Sequence, residues 1–278
     1  MGFALIMMIW LTGCGKQALQ TQSESKTGPV PTGPTSAELA TLEQKHPDAF
    51  VNSLGMVFNS VPGTEVQFCI WETRVNDYAV YAVANAGVDG SWKKPGFKQE
   101  DTHPVVKVTW DDAQAFCAWL TKKELAEGQL KPRQRYRLPT DAEWSVAVGL
   151  ESEIGGSPKQ KNMKVKEVYP WGKGWARPGD SGNYHTGKLG DLAYTESVGS
   201  YRANQYGLYD MGGNVWEWCY DLYDPAERSF KGFRVLRGAS WAIAGGDVML
   251  SSCRESNNLA SRHSGLTDYG FRCVLASE

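Results

Sequence analysis

The stretch RVLRGASWAIAGGDVMLSSCRE, residues 234 to 255, ends a glycine-rich apolar run on one thiol, Cys253. A cysteine placed there could act as a catalyst, form half of a disulfide or fill a core. A second chemical possibility lies upstream in YDMGGNVWEW. Hard cations take several oxygen ligands, drawn from carboxylates and from carbonyls on turns. Asp210 and Glu217 can supply the carboxylates, Gly213 and Val215 the carbonyls. The plain alternative for each acid is a turn cap or a solvated loop. The four histidines, His46, His103, His185 and His263, are too scattered for a zinc or non-haem iron site and read as loop or surface residues. No G-x-S-x-G, phosphate-binding loop or dinucleotide fingerprint occurs.

Elements must position these groups, and several are legible. SAELATLEQKH reads as a short helix that Ser36 can cap, and MVFNSVPGTEVQFCIWETRV, Met56 to Val75, as a hairpin around Pro62-Gly63. In VVKVTWDDAQAFCAWLTKKELAEG the period changes. Val106 and Val108 alternate, then Ala113, Phe116, Cys117 and Leu120 recur at helical spacing, so Cys117 faces the core. Asp111 or Thr109 can cap this helix and Gly128 can end it. Thr140 and Glu143 have capping-box spacing for a second helix, with Gly149 at its C-terminal end. Beyond Gly149 the chain is turn-rich, with strands too short for clean alternation. The lysine run KQKNMKVKEV reads as a solvated loop.

Eleven tryptophans and 30 glycines among 278 residues point to many tight turns held by aromatic anchors. A formal charge of -2 offers no basic face for phosphates, so no nucleic-acid partner is expected. The first residues, MGFALIMMIWLTGCGK, hold nine apolar residues from Phe3 to Leu11, against about 20 for a membrane span. The run has signal-peptide size, and LTGC resembles the lipobox of bacterial lipoproteins, with Cys14 as the lipidated residue. The expectation is a lipid-anchored envelope protein, in the outer membrane because Gly15 lacks inner-membrane-retaining character. Its organisation reads as signal peptide and lipobox over 1–14, a flexible tether with a short helix over 15–47, and one domain over 48–276. Export places Cys69, Cys117, Cys219, Cys253 and Cys273 where disulfides persist, and their odd number leaves one unpaired within the chain.

Eight segments in order, NSLGMVF, ETRVNDY, HPVVKVTWDDAQAFCAWL, YRLPTDAEW, YPWG, YGLYDMGGNVWEW, RGASW and GFRC, resemble the sulfatase-modifying-factor domain, that of the formylglycine-generating enzyme. The resemblance implies an α+β domain with a variant of the C-type-lectin-like fold, low in regular structure. It matches Asp210, Gly213, Val215 and Glu217 to one family calcium site, and Asn183, Tyr184, Asp191 and Ala193 to a second. Calcium is therefore an expected cofactor. Family oxidase chemistry uses two thiolates that bind copper(I), a soft ion. Counted without gaps from Gly238, their places fall on Ile243 and Val248, so copper is not expected. Ser240 and Trp216 match residues lining the family's reactive pocket.

The same resemblance pairs Cys117 with Cys273 as a structural disulfide, which would contribute up to ~5 kcal/mol on the chain-entropy account. Cys253 matches a disulfide position whose partner place is Val148 here, leaving Cys219, Cys69 or a buried free thiol. Beside a purely structural envelope lipoprotein, for which the tether and the fold suffice, two functions follow as expectations. One is a calcium-stabilised binding or scaffold protein of the envelope, recognising a glycan, peptide or envelope protein. The other is a divergent sulfatase-modifying enzyme that oxidises a cysteine or other residue of an exported substrate.

Overall fold

In the computed structural model the described residues are 33–150, 153, 155–187, 194–258 and 266–277; Cys14, Asp191, Ala193 and His263 lie outside them. Helix starts follow from local hydrogen bonding. Thr35, one residue before the expected Ser36, caps α1 (Ser36–Lys45): its hydroxyl accepts from the Glu38 amide and the Glu38 carboxylate accepts from its own amide. After β1 (Phe50–Val51), the expected hairpin forms from β2 (Val57–Ser60) and β3 (Val66–Cys69). A helix unforeseen in the sequence follows, α2 (Val75–Ala84), where the Asp77 carboxylate accepts from the Arg74 amide.

Thr109 and Asp112 form the capping box of α3 (Trp110–Ala126), and Thr140 with Glu143 that of α4 (Asp141–Ala147), beyond β4 (Gln134–Arg137). Each such cap is worth about 1 kcal/mol. Part of the lysine run forms a single turn, α5 (Pro158–Lys161). Short strands complete the chain: β5 (Val168–Tyr169), β6 (Gly172–Lys173), β7 (Trp216–Leu222), β8 (Arg234–Arg237), β9 (Glu255–Asn257), β10 (Tyr269–Gly270) and β11 (Val274–Ser277).

One five-stranded antiparallel sheet has the order β1-β2-β3-β11-β4, and a four-stranded sheet the order β10-β7-β8-β9 with β10 parallel to β7. Strand periodicity sorts the larger sheet's side chains into two cores. Phe58, Cys69, Tyr136 and Leu275 join Ala113, Phe116, Cys117 and Leu120 of α3 on one face. Val57, Phe68, Val274 and Ala276 meet Trp144 and Ala147 of α4 and Val235 of β8 on the other. Burying side chains of this size stabilises the fold by roughly 1.5–3 kcal/mol each. The residues from Pro31 onward cluster as one compact unit, and the architecture is the α+β one expected.

Candidate functional site

The loop entering β7 is shaped by backbone that few residues adopt. Asp210, Gly213 and Asn214 all have left-handed φ, at 53°, 83° and 57°. A Cβ on Gly213 would lie 2.5 Å from the Asn183 carbonyl oxygen, so glycine is required there. This turn packs Asn214 against Asn183, whose carbonyl accepts from the Asn214 amide at 2.8 Å. The Asn183 side-chain nitrogen donates to Tyr194 O at 2.6 Å and Asn214 Oδ1 at 3.3 Å.

Four ionisable groups from distant segments converge beside it: Glu72, Asp210, Glu217 and Arg272, all buried. Arg272 grips Glu217 with two bonds, Nε to Oε2 at 2.8 Å and Nη2 to Oε1 at 2.6 Å, and Trp144 Nε1 donates to Glu217 Oε2 at 3.0 Å. Asp210 Oδ2 accepts from the Gly199 amide at 2.7 Å and Glu72 Oε2 from Asn214 Nδ2 at 3.1 Å. Asp210 Oδ1 and Glu72 Oε1 are buried without a partner among the described residues. Three carboxylates thus share one guanidinium. Burial pushes the Asp210 carboxyl up to about 6, against the Gly199 hydrogen bond and the Arg272 charge that lower it, with a smaller upward push from the Glu217 charge. Burial and then the Asp210 charge push Glu72 well up.

An excess of buried acid with orphaned oxygens fits a hard cation better than it fits an empty core. The fit is uneven across the expected set. Asp210 has a free oxygen, whereas both Glu217 oxygens are committed to Arg272. Gly213 and Val215 lie on the same turn, and although Glu72, Asp210 and Glu217 approach one another, among the described residues no three His, Cys, Asp or Glu side chains are arranged so that they could hold a metal ion. Tyr184 is buried with its hydroxyl unpartnered. Glu72 and Arg272 escaped sequence reading: each belongs to a motif, ETRVNDY or GFRC, but nothing local to either announces the other.

Ser240 and Trp216 are brought together through Asp268. Ser240 Oγ donates to Asp268 Oδ2 at 2.6 Å, and the Trp216 amide donates to Asp268 O at 2.8 Å. Both are interior, Ser240 with no exposed surface. Burial raises the Asp268 carboxyl despite the Ser240 hydrogen bond. Ile243 donates its amide to Ser240 O at 3.0 Å, and Ile243 and Val248 pack against the α3-side core. Around the neighbouring Trp241, Phe97 and Tyr194 form an aromatic group, the latter two stacked at 4.6 Å.

All five described cysteines are buried. Cys117 and Cys273 meet with their sulfurs 3.5 Å apart, compared with about 2.05 Å in a disulfide. The Cys69 amide donates to Cys273 O on the neighbouring strand at 3.0 Å. Burial pushes the Cys69 and Cys253 thiols up to about 12, and Cys219 and Cys273 well up. None of these four is poised as a thiolate.

Comparison with known proteins agrees with this architecture. The sulfatase-modifying factor enzyme 1-like domain family matches residues 16–277. Inactive C-alpha-formylglycine-generating enzyme 2 of Bos taurus is 34% identical over 197 residues, covering 66% of this chain and 55% of that protein. The formylglycine-generating enzyme of Streptomyces coelicolor is 32% identical over 205 residues, 66% of this chain and 57% of that one. The chain therefore spans little more than half the length of these curated relatives. Among solved structures, PvdO from Pseudomonas aeruginosa superposes with a TM-score of 0.51 at 22% identity, covering 76% of this chain and 80% of that one. CarF gives 0.53 at 23%, covering 77% and 87%. These two likenesses concern the fold, and with the match across nearly all of the sequence they lead to one conclusion: this chain belongs to the sulfatase-modifying factor enzyme 1-like domain family.

Proposed function

We propose that this chain is a calcium-stabilised binding or scaffold protein of the bacterial cell envelope, anchored through lipid on Cys14, in which the family's copper oxidase chemistry has been lost. The observation that carries this reading is that Ile243 and Val248, at the two places the ungapped count assigns to the copper-binding thiolates, are partly buried apolar side chains packed against the core. Neither side chain can ligate a metal, and no described thiol is exposed to replace them. The residues present do not fit copper(I). Calcium fits Asp210, with Glu72 as an additional oxygen ligand. Calcium would neutralise the surplus acid and tie the loop entering β7 to the strand–helix turn at Glu72. The Cys117 and Cys273 sulfurs are near enough for a small rotation to close a disulfide in an oxidising compartment. The Bos taurus relative described as inactive is consistent with this reading.

The test uses purified oxidised protein, copper and a sulfatase-motif peptide, with mass spectrometry of the peptide. No conversion of its cysteine to formylglycine is expected, and conversion at a useful rate overturns the reading. A second reading, a divergent enzyme modifying an exported substrate, is favoured by one specific observation: Ser240 and Trp216, the two residues matched to the family pocket, are both held to Asp268. It requires the same assay to turn positive and to fall when Ser240 is replaced by alanine.

A further inference from the structure

A cleft of about 410 Å3 opens between the turn joining β5 to β6 and the loop 202–205. That volume lies within the about 300–1,000 Å3 of small-molecule sites. We propose that it binds a neutral saccharide of one to a few rings, stacked on Trp171. The cleft is not lined by Ser240, Asp268 or Trp216, and the proposal does not depend on whether oxidase chemistry is lost.

One wall is aromatic and rigid. Tyr169 and Trp171 stack at 4.8 Å and 7°, and Trp171 meets Tyr184 edge-on at 5.9 Å. The indole N–H of Trp171 is spent on Gly174 O at 3.3 Å, leaving the half-exposed ring as an apolar surface. The opposite wall is pinned by Asn204. Its side chain donates to Ala147 O at 2.7 Å and accepts from the Tyr206 and Leu208 amides at 2.9 and 3.2 Å. A site held this way loses little freedom on binding.

The rim carries both signs. Asp180 and Arg202 pair at 3.4 Å yet stay 56% and 74% exposed, Lys173 and Gln205 are exposed beside them, and Ser181 Oγ is buried there without a partner. The floor includes Val148 and Gly149, just beyond the C-terminal end of α4. A ligand matching this surface needs hydroxyls that donate to Asp180 and accept from Arg202 and Lys173. It also needs an apolar face for the aromatic wall. A polyanion is disfavoured because one of the two cations is already paired, and a purely apolar ligand would strand the rim. A saccharide has both the alternating hydroxyls and the C–H face.

The test titrates the full chain with cellotriose, chitotriose and maltotriose by isothermal calorimetry, with inorganic phosphate as the anionic control. At least one trisaccharide should bind at one site per chain and phosphate should neither bind nor compete. Trp171→Ala should weaken binding by at least about tenfold, and Trp171→Phe should restore part of it. If Trp171→Ala does not fold by circular dichroism, the exposed Arg202→Ala and Gln205→Ala variants carry the test, each expected to lower affinity several-fold. The proposal is overturned if no trisaccharide binds, if phosphate displaces the sugar, or if the folded variants bind as the parent does. Failure on these terms leaves the formylglycine assay above untouched.

Discussion

Two buried charge networks lie either side of one indole, and they are built to opposite rules. On one side Arg237 and Arg254 meet Asp141 and Glu153. Arg254 donates to both Asp141 oxygens at 3.0 Å and to Glu153 Oε1 at 2.7 Å, while Arg237 donates to Asp141, Ser145 and the Ser251 carbonyl. On the other, Glu72, Asp210 and Glu217 face Arg272 alone. Trp144 separates them: the Arg237 guanidinium sits 4.3 Å from its ring centroid, and its N–H serves Glu217. In the first network burial works against the Asp141 and Glu153 charges, but the two arginines outweigh it and hold both carboxyls below their usual range. In the second, burial wins for Glu72 and Asp210. The balanced network closes a core, whereas the acid-rich one leaves Glu72 Oε1 and Asp210 Oδ1 without a partner among the described residues.

The largest test breaks the balance deliberately. Arg254→Met removes one of two cations and leaves Asp141 and Glu153 sharing Arg237. The expected loss is about 3–5 kcal/mol of unfolding free energy, read by urea denaturation, and added calcium should not restore it. A loss below about 1 kcal/mol would mean the two networks do not differ as described.

Glu72→Gln makes the acid-rich network resemble its neighbour by removing surplus charge. With chelator present the variant should gain on the order of 1–3 kcal/mol, since the cost of burying a carboxyl that is ionised in the unfolded chain is removed. Its thermal stabilisation by calcium should shrink relative to the parent. A calcium response of undiminished size would show that Glu72 is not a ligand.

Acidification separates the networks by sign. The Asp210 carboxyl, at about 6 in the folded protein, stands above the unfolded value of about 3.9. The folded state therefore binds the proton more tightly, and a destabilisation present at neutral pH is relieved as pH falls through about 6. Asp141 and Glu153 behave oppositely, their contribution being lost as pH falls below the ordinary carboxylate range toward their lowered folded values. In chelator, stability should rise from pH 7.5 to about 5 and then fall below about 4. With saturating calcium the rise should vanish, because protons and cation compete for Asp210. Thermal melts across pH with and without chelator read this directly.

The contrast also explains what the sequence could convey. Thr109 with Asp112 and Thr140 with Glu143 are local pairs, and their capping boxes formed as their spacing predicts. Cys117 was placed inward by helical periodicity, and its approach to Cys273 by the family resemblance. The helix α2 was missed because the β-type stretch before it reads on through Val75, its first residue, and its N-cap is Arg74, which carries no capping hydroxyl or carboxylate. Glu72, Asp210, Glu217 and Arg272 span 200 residues and meet only through the pairing of β3 with β11 and the turn into β7. Of that cluster the expected set held Asp210 and Glu217, and it had no means of showing that Arg272 occupies Glu217.

The smallest test asks whether the balanced network depends on the helix that carries it. Asp141 is the first residue of α4, and Thr140 caps that helix by accepting from the Glu143 amide at 3.2 Å. Arg137 holds Glu143 from the far side at 2.7 Å through each of two nitrogens. Thr140→Ala removes the hydroxyl but leaves the Glu143 carboxylate bound to Arg137 and to the residue 140 amide. The cost should be only about 1 kcal/mol. The pH rise in chelator should persist unchanged, because that rise belongs to Asp210 on the other side of Trp144. If the substitution instead abolished the rise, the indole would be transmitting strain between the networks, and they could no longer be treated as independent.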